Sequence, residues 1–148
     1  MEPAKRAKST IASRTPKLLL RVVWFPVLVV LSHLILSNVF DAYRHYPHLN
    51  MLIHFAGGIA IAYFFDGALR VFQSAGSVGE LDAFLRFTLL FSLTATTAVF
   101  WEFAEFISDL TLDTKSQLGL KDTLLDMALG IMGGLVLLAV RVGKWGRF

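Results

Sequence analysis

Four long apolar stretches constrain this chain more than any other feature, because each must be buried in something other than a small soluble core. Residues 18–40 run LLLRVVWFPVLVVLSHLILSNVF, and further stretches occupy about 49–65, 84–107 and 123–140. Crossing a bilayer takes about 20 helical residues, since the helix must cover ~30 Å of hydrocarbon with every backbone group satisfied internally. The second stretch is short by that measure and needs little tilt or a start within the headgroup layer. With 55% hydrophobic and 13% aromatic residues over 148 positions, the chain reads as an all-α, four-helix transmembrane bundle whose first partner is the lipid bilayer. No length is left for a separate catalytic module, so any chemistry sits among the helices or in their short loops.

The segments between the spans are polar. Residues 1–17, MEPAKRAKSTIASRTPK, carry no apolar period and read as a flexible basic tail. A basic tail before an apolar run also outlines a signal peptide, but the run is long and no small-residue cleavage site follows, so the reading is a retained helix. Pro26 kinks that helix or marks its first turn. The connector DAYRHYPHLN holds two tyrosines and two histidines, His45 and His48, suited to an interfacial loop. Trp24 and Trp145 read as interfacial anchors at the opposite membrane face, and Tyr43 and Tyr46 as anchors beside this connector. The stretch from Asp66, DGALRVFQSAGSVGELDA, is rich in glycine, serine and charge and reads as a loop. The last connector is SDLTLDTKSQLGLKD.

Charge then orients the bundle. Lysine and arginine are retained on the cytoplasmic side of membrane proteins. Of the 14 basic residues, only Arg44, Lys115 and Lys121 fall in the first and third connectors. The rest lie in the tail, about the middle loop at Arg70 and Arg86, or after the last span at Arg141, Lys144 and Arg147. The expected topology places both termini in the cytoplasm of a bacterium, with a multi-pass chain in the inner membrane. A pI near 9.5 would also suit a nucleic-acid binder, but these charges flank apolar spans and form no soluble basic face, so no nucleic-acid partner is expected. The chain has no cysteine, which excludes thiolate metal sites and cysteine nucleophiles.

Within the spans, ionisable residues gather at one depth. Such groups cost a few kcal/mol or more each in hydrocarbon and turn toward a bundle interior or a water-filled cavity. Residues three, four or seven apart share a helix face, and that spacing gives three polar stripes: Asn50, His54 and Gly58; Glu102, Glu105 and Asp109; Asp122, Asp126 and Gly130. All three start at the outer ends of their spans, and a rise of about 1.5 Å per residue sets His54, Glu102 and Asp126 within roughly 10 Å of that boundary. Gly57, Gly58, Gly130 and Gly134 allow close backbone approach, which would bring the stripes into side-chain reach. Carboxylates so crowded in a low dielectric need a counter-charge, a shared proton or a metal. One imidazole with several carboxylates suits Mg²⁺, Mn²⁺ or Zn²⁺. The candidate ligands are His54, Glu102, Glu105, Asp122 and Asp126, with Glu102, Glu105 and Asp126 as candidate acid–base groups.

Structural readings compete for the same residues. Asp122 suits the N-cap of the last helix, and Asp126 gains from that helix end's positive dipole. Glu105 and Asp109 sit at the unfavourable end of theirs and need a partner, which Lys115 or Lys121 could supply as a salt-bridge lid. His33 reads as a deep histidine bonded to another helix rather than a haem ligand. Asp41 reads as a solvated loop residue at the end of the first span.

The order Asn50-x3-His54-x3-Gly58, Trp101-Glu102-x2-Glu105, Asp122-x3-Asp126-x3-Gly130-x3-Gly134 resembles the VanZ-like and YjdF-like groups of small bacterial membrane proteins, over about residues 40–140. The Asp-Lys pair that precedes the VanZ histidine is absent, with Met51 and Leu52 in its region, which favours the YjdF-like side or a more distant relative. The resemblance implies a cell-envelope setting, VanZ being linked to glycopeptide-antibiotic resistance, and carries no reaction. Three functions fit the residues: a metal-assisted site for a lipid or envelope precursor at the outer leaflet; a cation or proton transporter; or a structural or partner-binding protein in which the cluster packs the helices. The GxxxG spacing also admits a homo-oligomer.

Overall fold

The computed structural model describes residues 2–112, 114, 116–143 and 145, with the side chains of residues 2–15 and 38 outside that description. Lys115, offered above as a lid cation, and Lys144 and Arg147, counted for orientation, lie outside the described residues. Five helices follow one another: α1 Glu2–Asn38, α2 Ala42–His45, α3 Pro47–Ser74, α4 Ala83–Leu112 and α5 Leu120–Val142. Four are long and apolar enough to cross a membrane: Pro16–Ser37 within α1, and α3, α4 and α5 in full. Large apolar side chains such as Leu28, Phe100, Phe103 and Val136 point outward, whereas His33, His54, Asp66, Glu102, Glu105 and Asp126 are buried. That distribution is inverted from a water-soluble fold and follows from having lipid as the outer solvent.

The helix ends explain two departures from the sequence reading. The chain is helical from Glu2, where the tail was expected without structure. Helix α3 continues nine residues beyond Phe65, so the polar stretch from Asp66, expected as loop, is helical to Ser74. At 28 residues α3 is about 42 Å long, ample for a crossing. The true turn comes at Gly76, whose φ of 70° suits glycine. Asp82 then caps α4 by accepting from the N–H groups of Phe84 and Leu85 at 2.9 and 3.0 Å. At the other end of the bundle, Asp41 holds the left-handed conformation with φ 47°, which aspartate tolerates better than most residues. It turns the chain into α2, and Pro47 opens α3 where its missing N–H costs nothing.

Neighbouring contacts fix the helix directions. Val22 lies beside Gly67 and Val29 beside Gly57, so α1 and α3 are antiparallel. His54 meets Glu102 and Asp126, while Asp66 meets Arg86 and Arg141. Helix α4 is thus antiparallel to α3, and α5 runs alongside α3 in the same direction. The bundle has a site end, with the first and last connectors, and a termini end, where α1 begins and α5 finishes.

Helix α3 packs most extensively on α5, and glycine makes this contact. A Cβ built on Gly58 would fall onto the backbone carbonyl of Gly130, and one on Gly133 onto the carbonyl of Phe55. Gly134 faces the methyl group of Thr94 on α4, and Gly130 faces Ala98. Gly57 differs from its neighbour, since an added Cβ there meets only Val29 at 3.9 Å, an ordinary contact. The expectation that both residues of the Gly57–Gly58 pair serve close approach holds for Gly58 alone. The GxxxG face is used inside the chain. Gly58→Ala should therefore lower stability by about 1–3 kcal/mol or more through overpacking, read as thermal unfolding in detergent, while Gly57→Ala leaves the midpoint nearly unchanged. Equal effects would contradict the backbone contact.

Candidate functional site

The three polar stripes converge as their spacing requires. Asn50, His54 and Gly58 on α3, Glu102 and Glu105 on α4, and Asp126 and Gly130 on α5 are all buried. His54 stands between the helices. Its Nδ1 lies 3.4 Å from Glu102 Oε1, and its Nε2 lies 3.6 Å from Asp126 Oδ2 and 3.8 Å from Glu105 Oε1. These separations exceed good hydrogen bonds. One ligand atom from each of His54, Glu102 and Asp126 falls in a group whose members lie within 4.8 Å of one another. Ligands about 2.1 Å from a tetrahedral metal stand about 3.4 Å apart, so the spacing has the scale of an ion's coordination sphere.

The members divide by how well they are satisfied. Glu105 Oε1 accepts from the indole N–H of Trp101 at 2.9 Å and faces His33 Nε2 at 3.5 Å. Tyr43 supports His33 from the other side, its hydroxyl 3.1 Å from Nδ1. Burial pushes the Tyr43 hydroxyl well above the usual tyrosine range, and the Glu105 and Asp126 carboxyls add to this, so Tyr43 remains a donor. With Tyr43 donating to Nδ1, the His33 proton is assigned to Nε2, toward Glu105. Asp126 Oδ2 accepts from the Asn50 amide at 2.8 Å. By contrast, both side-chain oxygens of Glu102, Asp126 Oδ1 and His54 Nε2 are buried without a hydrogen-bond partner. Buried polar atoms are nearly always paired, so this concentration of unpaired acceptors at one point is unusual.

A short lid covers the site. Asp109 accepts from the backbone N–H groups of Ser116 and Gln117 at 2.8 and 2.9 Å and from the Thr114 hydroxyl. Gln117 in turn donates to the Glu102 carbonyl at 3.0 Å. Asp109 thus finds partners in the connector's backbone and the Thr114 hydroxyl, while Lys115, one of the two lysines offered for it, lies outside the described residues. Asp122 does not cap α5: Gly119 holds the N-cap position and Asp122 lies in the first turn, 3.5 Å from the Leu118 N–H. Asp122 supplies no ligand atom to the His54–Glu102–Asp126 group and lines a recess at the site end. Asp41 is exposed and pairs with Arg44 at 3.7 Å.

With this geometry in view, comparison with known proteins places the chain. Residues 11–144 match the family described as predicted membrane protein (DUF2238). The chain belongs to this family. Over 105 residues it is 30% identical to an uncharacterized protein of Thermotoga maritima, covering 70% of this chain and 53% of the relative. The chain therefore spans about half the length of that relative. No solved structure matches it.

One cavity of this DUF2238 protein reaches the cluster, and a second stops at its neighbours Asn50 and Tyr43. The first, of ≈ 60 Å³, is lined by Val29, Val30, Ile53 and Ile61 of α1 and α3, with Ala98 and Gly130 of α4 and α5 behind them, and ends on His33, His54, Trp101 and Asp126. The other, of ≈ 280 Å³, is the recess at the site end, lined by Tyr43, Arg44, Asn50, Ser116 and Asp122. Asn50 and Tyr43 form the floor between the recess and the buried groups.

Three site residues escape a sequence reading. His33 looks deep when counted from the start of α1, yet it is seven residues from Phe40, as near the site end as His54. Tyr43 passes as an interfacial aromatic until its hydroxyl meets His33, and nothing in the sequence gives the Trp101 indole its partner Glu105. The available signal is the coincidence of depth between His33 and His54, whose rings stand 6.3 Å apart. Asn50→Ala, which removes the amide donor to Asp126, should cost about 1–3 kcal/mol. Asp122→Asn should change the unfolding midpoint by less than the scatter between preparations, and a larger loss from Asp122→Asn than from Asn50→Ala would reverse this assignment of roles.

Proposed function

We propose that this protein holds a divalent cation on His54, Glu102 and Asp126, and uses it to bind or transform a lipid or envelope precursor. The observation that carries this reading is the set of buried, unpaired atoms of those residues in one group of coordinating scale. A structural polar network satisfies its members, and Glu105, His33, Tyr43 and Trp101 do so. Glu102, Asp126 Oδ1 and His54 Nε2 do not, and a cation would satisfy all of them at once. Neutral imidazole with two carboxylates suits Zn²⁺, Mn²⁺ or Mg²⁺ and leaves room for a further ligand. A bound cation supplies a Lewis acid for a carbonyl or phosphoryl oxygen and lowers the pKa of a bound water. Glu105, beside His54 Nε2 and held by Trp101, is then the nearby acid–base group.

The two cavities support an amphipathic ligand. A polar headgroup suits the recess beside Arg44, and a slim acyl or isoprenoid chain suits the apolar slot between α1 and α3, with the His/carboxylate cluster where they approach. The orientation from the positive-inside rule puts this end at the outer leaflet of a bacterial inner membrane, with both termini in the cytoplasm. The VanZ-like and YjdF-like resemblance points to the same envelope setting.

Elemental analysis of detergent-purified protein should find one divalent ion per chain. His54→Ala, Glu102→Gln and Asp126→Asn should each release it, and Glu105→Gln should retain it. Chelation should lower the unfolding midpoint of wild type but not of Glu102→Gln, because a ligand that binds only the folded state stabilises it. Metal-free wild-type protein that neither takes up added Zn²⁺, Mn²⁺ or Mg²⁺ nor responds to chelator would end the proposal.

A further inference from the structure

We propose that the termini end carries a second site, where Arg70, Arg86 and Arg141 take the phosphate group of an anionic lipid from that leaflet. The three arginines come from α3, α4 and α5, and all converge on Asp66, which has no exposed surface. Arg70 Nη2 donates to its Oδ2 at 2.6 Å, Arg86 Nη2 to its Oδ1 at 2.7 Å, and Arg141 Nη1 also to Oδ2. Asp66 is their only acidic partner among the described residues. One carboxylate against three guanidiniums leaves an excess of two positive charges, and both oxygens of that carboxylate are already engaged.

Unpaired donors mark where a further anion belongs. Arg86 Nε and the indole Nε1 of Trp145 are both buried with no acceptor. They are neighbours, the Arg86 guanidinium carbon standing 5.1 Å from the centre of the Trp145 ring. Hydration at the membrane surface would serve the Arg70 side chain, which is 42% exposed. It does not serve two buried N–H groups. An oxyanion that engages the exposed faces of Arg70 and Arg141 would serve them once the Trp145 ring moves off Arg86, and phosphate matches the guanidinium fork bidentately. This is the sign reverse of the other end of the molecule, where acceptors lack donors.

Position favours a lipid over free phosphate. The cluster lies at the ends of three spans, where headgroups sit, and basic clefts between helices are known lipid-phosphate sites. Arg70 and Arg141 are partly exposed, and Phe72, Leu85 and Val140 around them face outward, which provides an apolar track for acyl chains. The inference does not depend on which way the chain crosses the membrane or on a metal at the other end.

The test uses full-length protein in a neutral detergent, with binding read by native mass spectrometry and by the unfolding midpoint. Phosphatidylglycerol should remain bound and raise the midpoint, phosphatidylcholine at the same concentration should do neither, and inorganic phosphate alone should give a smaller shift. Arg70→Gln, which leaves Asp66 with two partners, should weaken phosphatidylglycerol binding about fivefold, the worth of one basic residue at a membrane surface. Arg86→Lys keeps the charge but removes the Nε donor, and should weaken it at least as much. Asp122→Asn, at the opposite end, should bind as wild type does. Equal response to the two lipids, or wild-type binding by Arg70→Gln, overturns the proposal whether or not Arg86→Lys folds. An inorganic phosphate shift as large as that of phosphatidylglycerol would reassign the site to a soluble phosphate.

Discussion

The backbone contact between Gly58 and Gly130 is the constraint on which the rest of the bundle depends. Helices α3 and α5 run in the same direction, so residues at equal offsets from the contact share a level. One turn toward the site end, the offset of four residues reaches His54 on one helix and Asp126 on the other, and the two lie 3.6 Å apart. Asn50, one further turn along α3, reaches across to the same aspartate at 2.8 Å. Without side chains between them the helices come close enough for short polar side chains to touch. In lipid no hydrophobic drive holds helices together, and close packing of small residues with polar contacts takes its place. The glycines thus provide both the association and the geometry of the site.

Each end of the bundle solves the problem of charge in a membrane differently. At the termini end, Asp66 is enclosed by three arginines from three helices, an arrangement that fixes α3, α4 and α5 against one another. Tyr63 and Trp145 cover the guanidiniums of Arg141 and Arg86, at 5.3 and 5.1 Å, where cation–π attraction is strongest once water is excluded. At the site end no lysine or arginine enters the buried group among the described residues. The carboxyls there are served by neutral donors: Asn50 for Asp126, Trp101 for Glu105. At the termini end both oxygens of the carboxylate are paired and two donors, Arg86 Nε and Trp145 Nε1, are not; at the site end it is the acceptors that are unpaired. Such departures concentrate where a ligand completes the structure.

Much of this was legible in the sequence, and the limits are physical. Hydropathy and length identify four spans, because lipid imposes a simple length rule. The 3.6-residue period identifies the faces of α3, α4 and α5, because burial of polar residues in a membrane is costly enough to be patterned. The Asp66 cluster was not legible. Its arginines come from three separate segments, and each reads singly as a marker of orientation, which the same positions also serve. Asp66 itself follows an apolar run and precedes Gly67 and a polar stretch, so local signals favour a loop. The helix continues there because Arg70, four residues on, pairs with Asp66 on the same face. The contact of His33 with another helix was legible, but its place in the site was not: depth depends on which end of the span one counts from, and only the bundle shows that it faces Glu105. Gly57 and Gly58 cannot be told apart by composition, since rotation about α3 decides which one meets α5.

The interior between the two ends bears on how the site could work. Glu102 and Arg86 are sixteen residues apart on α4, about 24 Å along the helix. Between them lie Ala62, Leu90 and Leu138, none with exposed surface, and Thr94, whose hydroxyl donates to the Leu90 carbonyl within its own helix. No ionisable group among the described buried residues bridges that gap, and a relay of protons or cations needs stepping stones or a water-filled path. The cavities at the site end lead elsewhere: one toward the outer surface, the other sideways between α1 and α3. The site is sealed toward the termini end by aliphatic side chains without exposed surface. Transport across the bilayer would require the layer of Leu90 and Leu138 to open, against the Asp66 clamp that holds α3, α4 and α5 together at its far side.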